Sequence, residues 1–547
     1  MSPIEREYYR VPRGQRETFI RPPPADLAAL VDRNRRLISS WTFEVAGQPL
    51  GEFRAAARKE ILDLARQYAA RWNFAVDRAW PEPAPVIATG HQPPPFHPGI
   101  WFKNFLAGSL AGTVGGVALN LTADSDEARA GVFRFPKITA GGEVVRSEVE
   151  FSSGVVGAFE EQPPGAIRRE AAGEVLPILP PVSLPSFRRC WDRVAEAARD
   201  ASSLAEAWTV ARRRLEEELG LRNLELPVSA MADSEAFRLF VAEMIQRREE
   251  LFAAHNDALA EYRCVYRERS AAQPVPDLAR DGASLELPFW IWRAGGPRQR
   301  LWSETRALQA GRLTGVSLCA DRERIGEIDL RARRGSGGLS SAANQVAELR
   351  RAGWKIRPRA LTLTLFVRLA VGETFIHGLG GALYEKITDG IFERLFGVRP
   401  PEVVLASSTV HLPLEAFPAT PRDLESARRA VRQWRHNPDR TISPEVGRRP
   451  EVRNLVAEKR RLVEGMRALV RKGRGAAFRR IHAINEALAR FEPGGPEAAR
   501  GELARVEREL KANAILRGRE YPFCFYPPED LAAFYQKSAE CGMRSAE

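Results

Sequence analysis

The spacing of apolar residues changes several times along this chain, and each change predicts a new element. Ala25 to Leu37 and Phe53 to Trp72 repeat at helical spacing, with Ile61, Leu62, Leu64, Ala65 and Tyr68 on one face of the second. Pro81, Pro83 and Pro85 end that pattern. From Val86 a short apolar run ending in Thr89-Gly90-His91-Gln92 predicts a strand. A loop follows, Pro98 to about Leu110 reads as a helix, and Val117 to Thr122 as a second strand. Strand, helix and strand in that order predict a parallel pair with a right-handed crossover. Val132 to Phe135 and Glu143 to Phe151 predict short strands around the Ala140-Gly141-Gly142 turn.

A proline-rich stretch, Pro177 to Pro185, leads into helical patterns at Ser186 to Leu219 and Asp233 to Arg267, with a short strand candidate at Leu224 to Ala230 between them. Leu285 to Arg293, the Gly295-Gly296-Pro297 turn and Gln299 to Trp302 predict a hairpin. Arg331 to Ser341, rich in Arg, Gly and Ser, reads as a mobile loop. Ile356 begins a second α/β segment. There Gly372 to His377 reads as strand, Gly378 to Gly381 as turn, Ala382 to Phe396 as amphipathic helix and Val403 to Ala406 as strand. Beyond Glu451, Leu455, Leu462, Met466 and Leu469 fall at heptad-like spacing, followed by the stripes Ile481, Ile484, Leu488 and Leu503, Val506, Leu510. Glycines after Lys472 and after Glu492 interrupt them, which predicts antiparallel helices in a coiled-coil hairpin. Tyr521 to Pro528 reads as an extended tail packed back on the body.

Composition narrows the class. At 547 residues the chain has room for two to four domains. No apolar run reaches the roughly 18 residues a membrane helix needs. Met1-Ser-Pro-Ile-Glu-Arg-Glu7 is polar and charged, unlike a signal peptide. Cys190, Cys264, Cys319, Cys524 and Cys541 are scattered without a C-x-x-C pair, which argues against a disulfide framework and a cysteine-held metal. Together these point to the cytoplasm. The net charge of +12 is compatible with nucleic-acid binding. Yet the basic residues are nearly all arginine, spread along the chain, with no helix-turn-helix, RNP or zinc-finger signal. Anionic small molecules or a compositional habit account for the charge better than nucleic acid.

Three constellations carry candidate chemistry. Thr89-Gly90-His91-Gln92, with His97 and Lys103, suits anion binding at a helix N-terminus with an imidazole nearby to move a proton; the alternative is a proline-rich turn whose histidines cap loop carbonyls. Asp124-Ser125-Asp126-Glu127 follows a buried strand, where carboxylates can orient a hydroxylated or amino substrate, act as base or hold Mg2+. An N-cap and acidic first turn of a following helix would look the same. His377-Gly378-Leu379-Gly380-Gly381, running on to Tyr384, places glycines where backbone can approach a ligand, although tight strand–helix turns use glycine anyway. Lys386, Thr388 and Asp389 read as ordinary helix-face residues, and His255, His436 and His482 as structural. G-x-x-x-x-G-K-[ST] is absent, which argues against a P-loop enzyme.

These pieces in this order resemble the bacillithiol biosynthesis cysteine-adding enzymes, a cysteine ligase family. Its T-G-Q-Q-x-G-x-x-x-G-P segment and following lysine are similar to Thr89-Gly90-His91-Gln92, Pro98-Gly99 and Lys103. Its acidic E-D-H-D stretch corresponds to Asp124-Ser125-Asp126-Glu127, and its G-G-P-G-E-x-x-Y turn to His377 through Tyr384. Position 91 has histidine where the family has glutamine, and the G-P-G-E turn is altered. The resemblance implies an α/β fold: a Rossmann-like parallel-sheet core with inserted connecting segments and a C-terminal helical coiled-coil hairpin, dimeric. The segments would be 1–80 helical, 81–180 and 356–450 the two halves of the core, 181–355 an insertion, 451–517 the coiled coil and 518–547 the tail. The implied reaction is ATP-linked and joins cysteine to an amino-sugar amine. His91, Gln92 and Lys103 then serve anion binding, and Asp124 and Asp126 the amine or hydroxyl. A non-catalytic relative acting through its coiled coil is the alternative.

Overall fold

The computed structural model describes residues 4, 6–76, 80, 83–93, 95–153, 157–270, 272–309, 312–330, 338–466 and 471–540. Residues 331–337 of the expected mobile loop, Leu469 of the heptad pattern and Cys541 lie outside the described residues. The chain is mixed α/β and divides into two units, one of residues 1–135, 147–411 and 519–547, the other of 136–146 and 412–518.

The first unit is organised by a six-stranded sheet. Its strands are β1 (Glu17–Arg21), β2 (Val86–His91), β3 (Val117–Thr122), β4 (Leu224–Pro227), β5 (Thr374–His377) and β6 (Val404–Thr409). Their order across the sheet is β1-β6-β5-β2-β3-β4. All neighbours are parallel except β1, which closes the edge antiparallel to β6. β3 is buried along its whole length, as a strand covered on both faces must be. From β2 the chain steps outward to β3 and β4, then returns to build β5 and β6 on the other side of β2. The strand order therefore reverses between β2 and β5, and the carboxyl ends of those strands, His91 and His377, flank that point.

Helix α1 (Pro98–Thr113) follows β2 and lies on the sheet, while α2 (Leu204–Glu218) precedes β4. A buried polar network joins both helices to the sheet. Arg212 pairs with Glu216 and Glu225, each at 2.7 Å; Glu216 also accepts from Trp101 Nε1 and Asn104 Nδ2, and Glu225 from Asn120. Helix α3 (Leu379–Phe396) follows β5. No turn separates them: Gly378 is the N-cap, so the glycines expected in a turn form the first turn of α3.

A second sheet in this unit is antiparallel, with strands in the order 323–329, 312–320, 299–309, 284–293 and 354–358. The expected hairpin is present, but two further strands extend it; Val316, Leu318 and Ala320 alternate into the core there. Trp354–Pro358 pairs with 284–293 rather than with the parallel sheet. The helical stretches after Pro185 and Asp233 each break in two, at 198–203 and at Arg247, and Ser203 caps α2 by accepting from Glu206 N. Among the described residues no helix is long and apolar enough to cross a membrane.

In the second unit, α5 (Pro450–Gly465) and α6 (Arg471–Arg490) share a small core of Val446, Val452, Ile484 and Leu488, and α4 (Pro421–His436) packs against α6 and α7 (Gly494–Leu516). Helix α4, which lies before the expected coiled-coil boundary, belongs with these helices and opens on a capping box between Thr420 and Asp423.

Candidate functional site

The helix that opens this site is not where an anion would meet free N–H groups. His97 caps α1 with its own Nδ1, which accepts from Gly99 N at 3.1 Å. A Cβ on Gly99 would fall 2.3 Å from Ser408 O and 2.9 Å from an Arg519 guanidinium nitrogen. The α1 N-terminus is thus closed against the end of β6. The other helix at the strand-order reversal, α3, is different. Gly378 offers no side-chain acceptor, and open space lies beside Gly378 and Gly380. Its first-turn N–H groups are the ones left without an intrahelical partner.

Lys103 reaches from α1 to the same place. It is buried, and its ammonium donates to Gly90 O at 2.6 Å. Burial draws its pKa down to about 7, so the amine changes charge near neutrality. Gly90 is required by packing: a Cβ there would sit 2.6 Å from Leu121 O. Thr89 faces inward and ties β2 to β5 by donating to Ile376 O at 2.9 Å. His91 is half-buried, rests edge-on against Phe96, and is neutral, its pKa lowered to about 3 by burial and then by the Lys103 charge. His97 is lowered to about 4 by burial, then by Arg519. His377 is buried and held well below its ordinary value by burial, then by Lys103 and Arg368. Its Nε2 lies 3.4 Å from Glu385 Oε1 but makes no hydrogen bond among the described residues. Gly381 leaves room for that imidazole, since a Cβ would be 3.2 Å from Nδ1. Tyr384 is on the exposed surface of α3.

The acidic stretch supplies the adjoining wall. No helix follows it; Asp124 instead caps the short helix after β4, accepting from the backbone N (2.9 Å) and hydroxyl of Ser229. Burial, then the charge of Glu160, pushes the Asp124 carboxyl up to about 7. Asp126 accepts from Gln92 Nε2 at 2.5 Å and pairs with Arg298 at 3.2 Å, while Glu127 is 3.1 Å from the same guanidinium. Gln92 therefore joins the loop after β2 to the loop after β3, and Ala123 N donates to His91 O between them. Beside Asp124 is a cavity of about 320 Å³ at the carboxyl ends of β3 and β4. It is lined by Asp124, Glu160 and Glu206, by hydroxyls including Thr122, Thr209 and Ser229, and by Lys355. The buried Tyr68 hydroxyl also lines it and has no hydrogen-bond partner among the described residues.

Comparison with known proteins decides nothing about family. No family model matches the chain, and no curated protein is significantly similar to it.

The structure thus gathers Gly90, His91, Lys103, His377 and the glycines of α3 at one crevice, with Gln92, Asp124, Asp126 and Glu127 at its flank. Sequence reasoning missed Arg298, Glu160, Tyr68 and Lys355. Arg298 follows the Gly295-Gly296-Pro297 turn, a signal that a side chain is presented there; Tyr68 stands inside a helical pattern, Lys355 in a short strand, and Glu160 in a short turn that no periodicity marks. Among the described residues no group of His, Cys, Asp and Glu is arranged to hold a metal ion. Asp126 and Glu127 are paired with Arg298.

Proposed function

We propose that the first unit is a ligase that activates a carboxyl group and joins it to an amine, of the type that adds cysteine or a similar amino acid to an amino-sugar or other small amine. The reversal of strand order between β2 and β5 supports this reading most directly. Ligands of open parallel sheets bind outside the carboxyl ends of the strands at such a point, and the strand order supports reading the core as Rossmann-like. ATP, when bound, would supply the activation of the carboxyl group.

On this reading the open N-terminus of α3 and Lys103 hold anionic groups. Neutral His91 presents an imidazole whose free ring nitrogen can accept a proton or a hydrogen bond without first losing charge. Asp124, ionising near neutrality, accepts a proton from the attacking ammonium, and the hydroxyls of its cavity orient a polar acceptor. The helices of the second unit, with heptad-like stripes buried or half-buried among themselves, correspond on this reading to the coiled-coil element of a homodimer in the cytoplasm.

The test is incubation of the full chain with cysteine, ATP and candidate amine acceptors, read by mass spectrometry for amide products. His91→Ala and Lys103→Ala should each lower product formation at least 100-fold while the fold is retained. Absence of product with every acceptor, together with no thermal shift by ATP, would overturn the reading.

A further inference from the structure

The excess positive charge is not spread as the arginines are. The second unit, residues 136–146 and 412–518, holds 26 Arg and Lys against 15 Asp and Glu, whereas the remaining residues hold 56 against 55. About a fifth of the chain thus carries +11 of the net +12. We propose that this helical unit binds the phosphodiester backbone of a duplex nucleic acid through the face formed by α4 and α6.

That face has a definite geometry. Arg428, Arg432 and Arg435 recur at i, i+4 and i+7 on α4 and are exposed. The latter two stand about 6 Å and 10.5 Å beyond the first along the helix axis. The His436 and His482 rings meet at 6.2 Å, which joins the end of α4 to α6 and brings exposed Arg479, one turn before His482, into the same surface. Arg428 is paired with Glu507, but Arg432, Arg435 and Arg479 have no carboxylate within 4 Å among the described residues. Unpaired guanidinium groups in a row suit a polyanion whose charges repeat every few ångströms, and releasing its counterions drives the association. A membrane would need a continuous apolar stripe to insert. Among the described residues of this unit the exposed large apolar side chains are Ile138, Phe417, Val463 and Phe478; only Phe478 is on α6, and the exposed positions of α4 hold none.

Anisotropy titrations of the full chain against a 20-base-pair RNA duplex and the matching DNA duplex, across a salt series, test the proposal and separate A-form from B-form preference. Affinity should fall steeply with salt. The triple variant Arg432→Gln/Arg435→Gln/Arg479→Gln should bind at least tenfold more weakly and lose about 2 to 3 from the log–log salt slope. The equally charge-reduced Arg188→Gln/Arg199→Gln/Arg322→Gln, all exposed positions of the first unit, should bind like the parent. Circular dichroism checks that both variants fold. Failure to bind either duplex at 50 mM salt, equal weakening in both triples, or binding only to vesicles of anionic lipid would overturn the proposal.

Discussion

Lys103 and Asp124 face opposite versions of one problem. Each is buried with its charge poorly compensated, and burial brings both into the neutral range, the ammonium from above and the carboxyl from below. For Asp124 the folded pKa is raised, so the folded state holds its proton more tightly than the unfolded chain. Ionisation then costs nothing below the usual carboxylate pKa, and the cost grows as pH rises, reaching its full size above about 7. Asp124→Asn should therefore gain stability relative to the parent between pH 4 and pH 8, on the order of 2–4 kcal/mol at the upper end. Thermal melts at both pH values measure this; a constant gap would mean the carboxyl is not buried as described. For Lys103 the sign is reversed. Its folded pKa is lowered, so the penalty is full below about pH 7 and is relieved as pH rises toward the ordinary lysine value. Lys103→Met should gain most at acidic pH, with the gain shrinking above pH 7. The sequence pointed to both residues by their place after β-strands. It did not show their environments, because Ser229 and Glu160, which set the state of Asp124, come from other parts of the chain.

Among elements, α1 shows how a correct boundary can conceal its reason. Pro98-Gly99 marks the helix start in the sequence, and the helix does begin at Pro98. The glycine, however, serves a contact with Ser408 at the end of β6, some three hundred positions away. Gly99→Ala drives a methyl into backbone that cannot yield, and should cost about 2–4 kcal/mol or displace the helix. Gly112→Ala, near the other end of α1 with open space around it, should be neutral or stabilise by up to about 1 kcal/mol. Denaturant midpoints of the two variants, measured side by side, separate local helix propensity from close packing; equal effects would contradict the contact. Local periodicity likewise marked β2, α1 and β3 nearly residue for residue. It could not show that β5, rather than a nearer strand, would pair with the free edge of β2, since that choice rests on tertiary contacts such as Thr89 to Ile376.

At the scale of the molecule, the crevice depends on residues near the end of the chain. Phe523 N donates to Phe96 O at 2.8 Å, and the Phe523 ring lies 5.5 Å from Phe96 and 4.8 Å from Trp101. Tyr535 packs on Phe102 and Phe105 and donates to Pro98 O at 2.6 Å. The stretch from Tyr521 is buried, as expected of a tail packed back on the body, and Pro528–Glu540 is a helix against α1. It holds the loop between His91 and His97 from outside, so the position of the candidate imidazoles is fixed by a segment over four hundred residues downstream. Phe523→Ala removes a large buried side chain and should destabilise the first unit by about 3–5 kcal/mol. Its local signature should be larger than its global one. Hydrogen exchange at Gly99, Ile100 and Trp101, whose amides donate to His97 at the end of that loop, should accelerate well beyond that in β1, which lies at the far edge of the same sheet. Uniform acceleration across the sheet would show that the loop opens only with the whole unit, and that the downstream segment stabilises the fold without positioning the site.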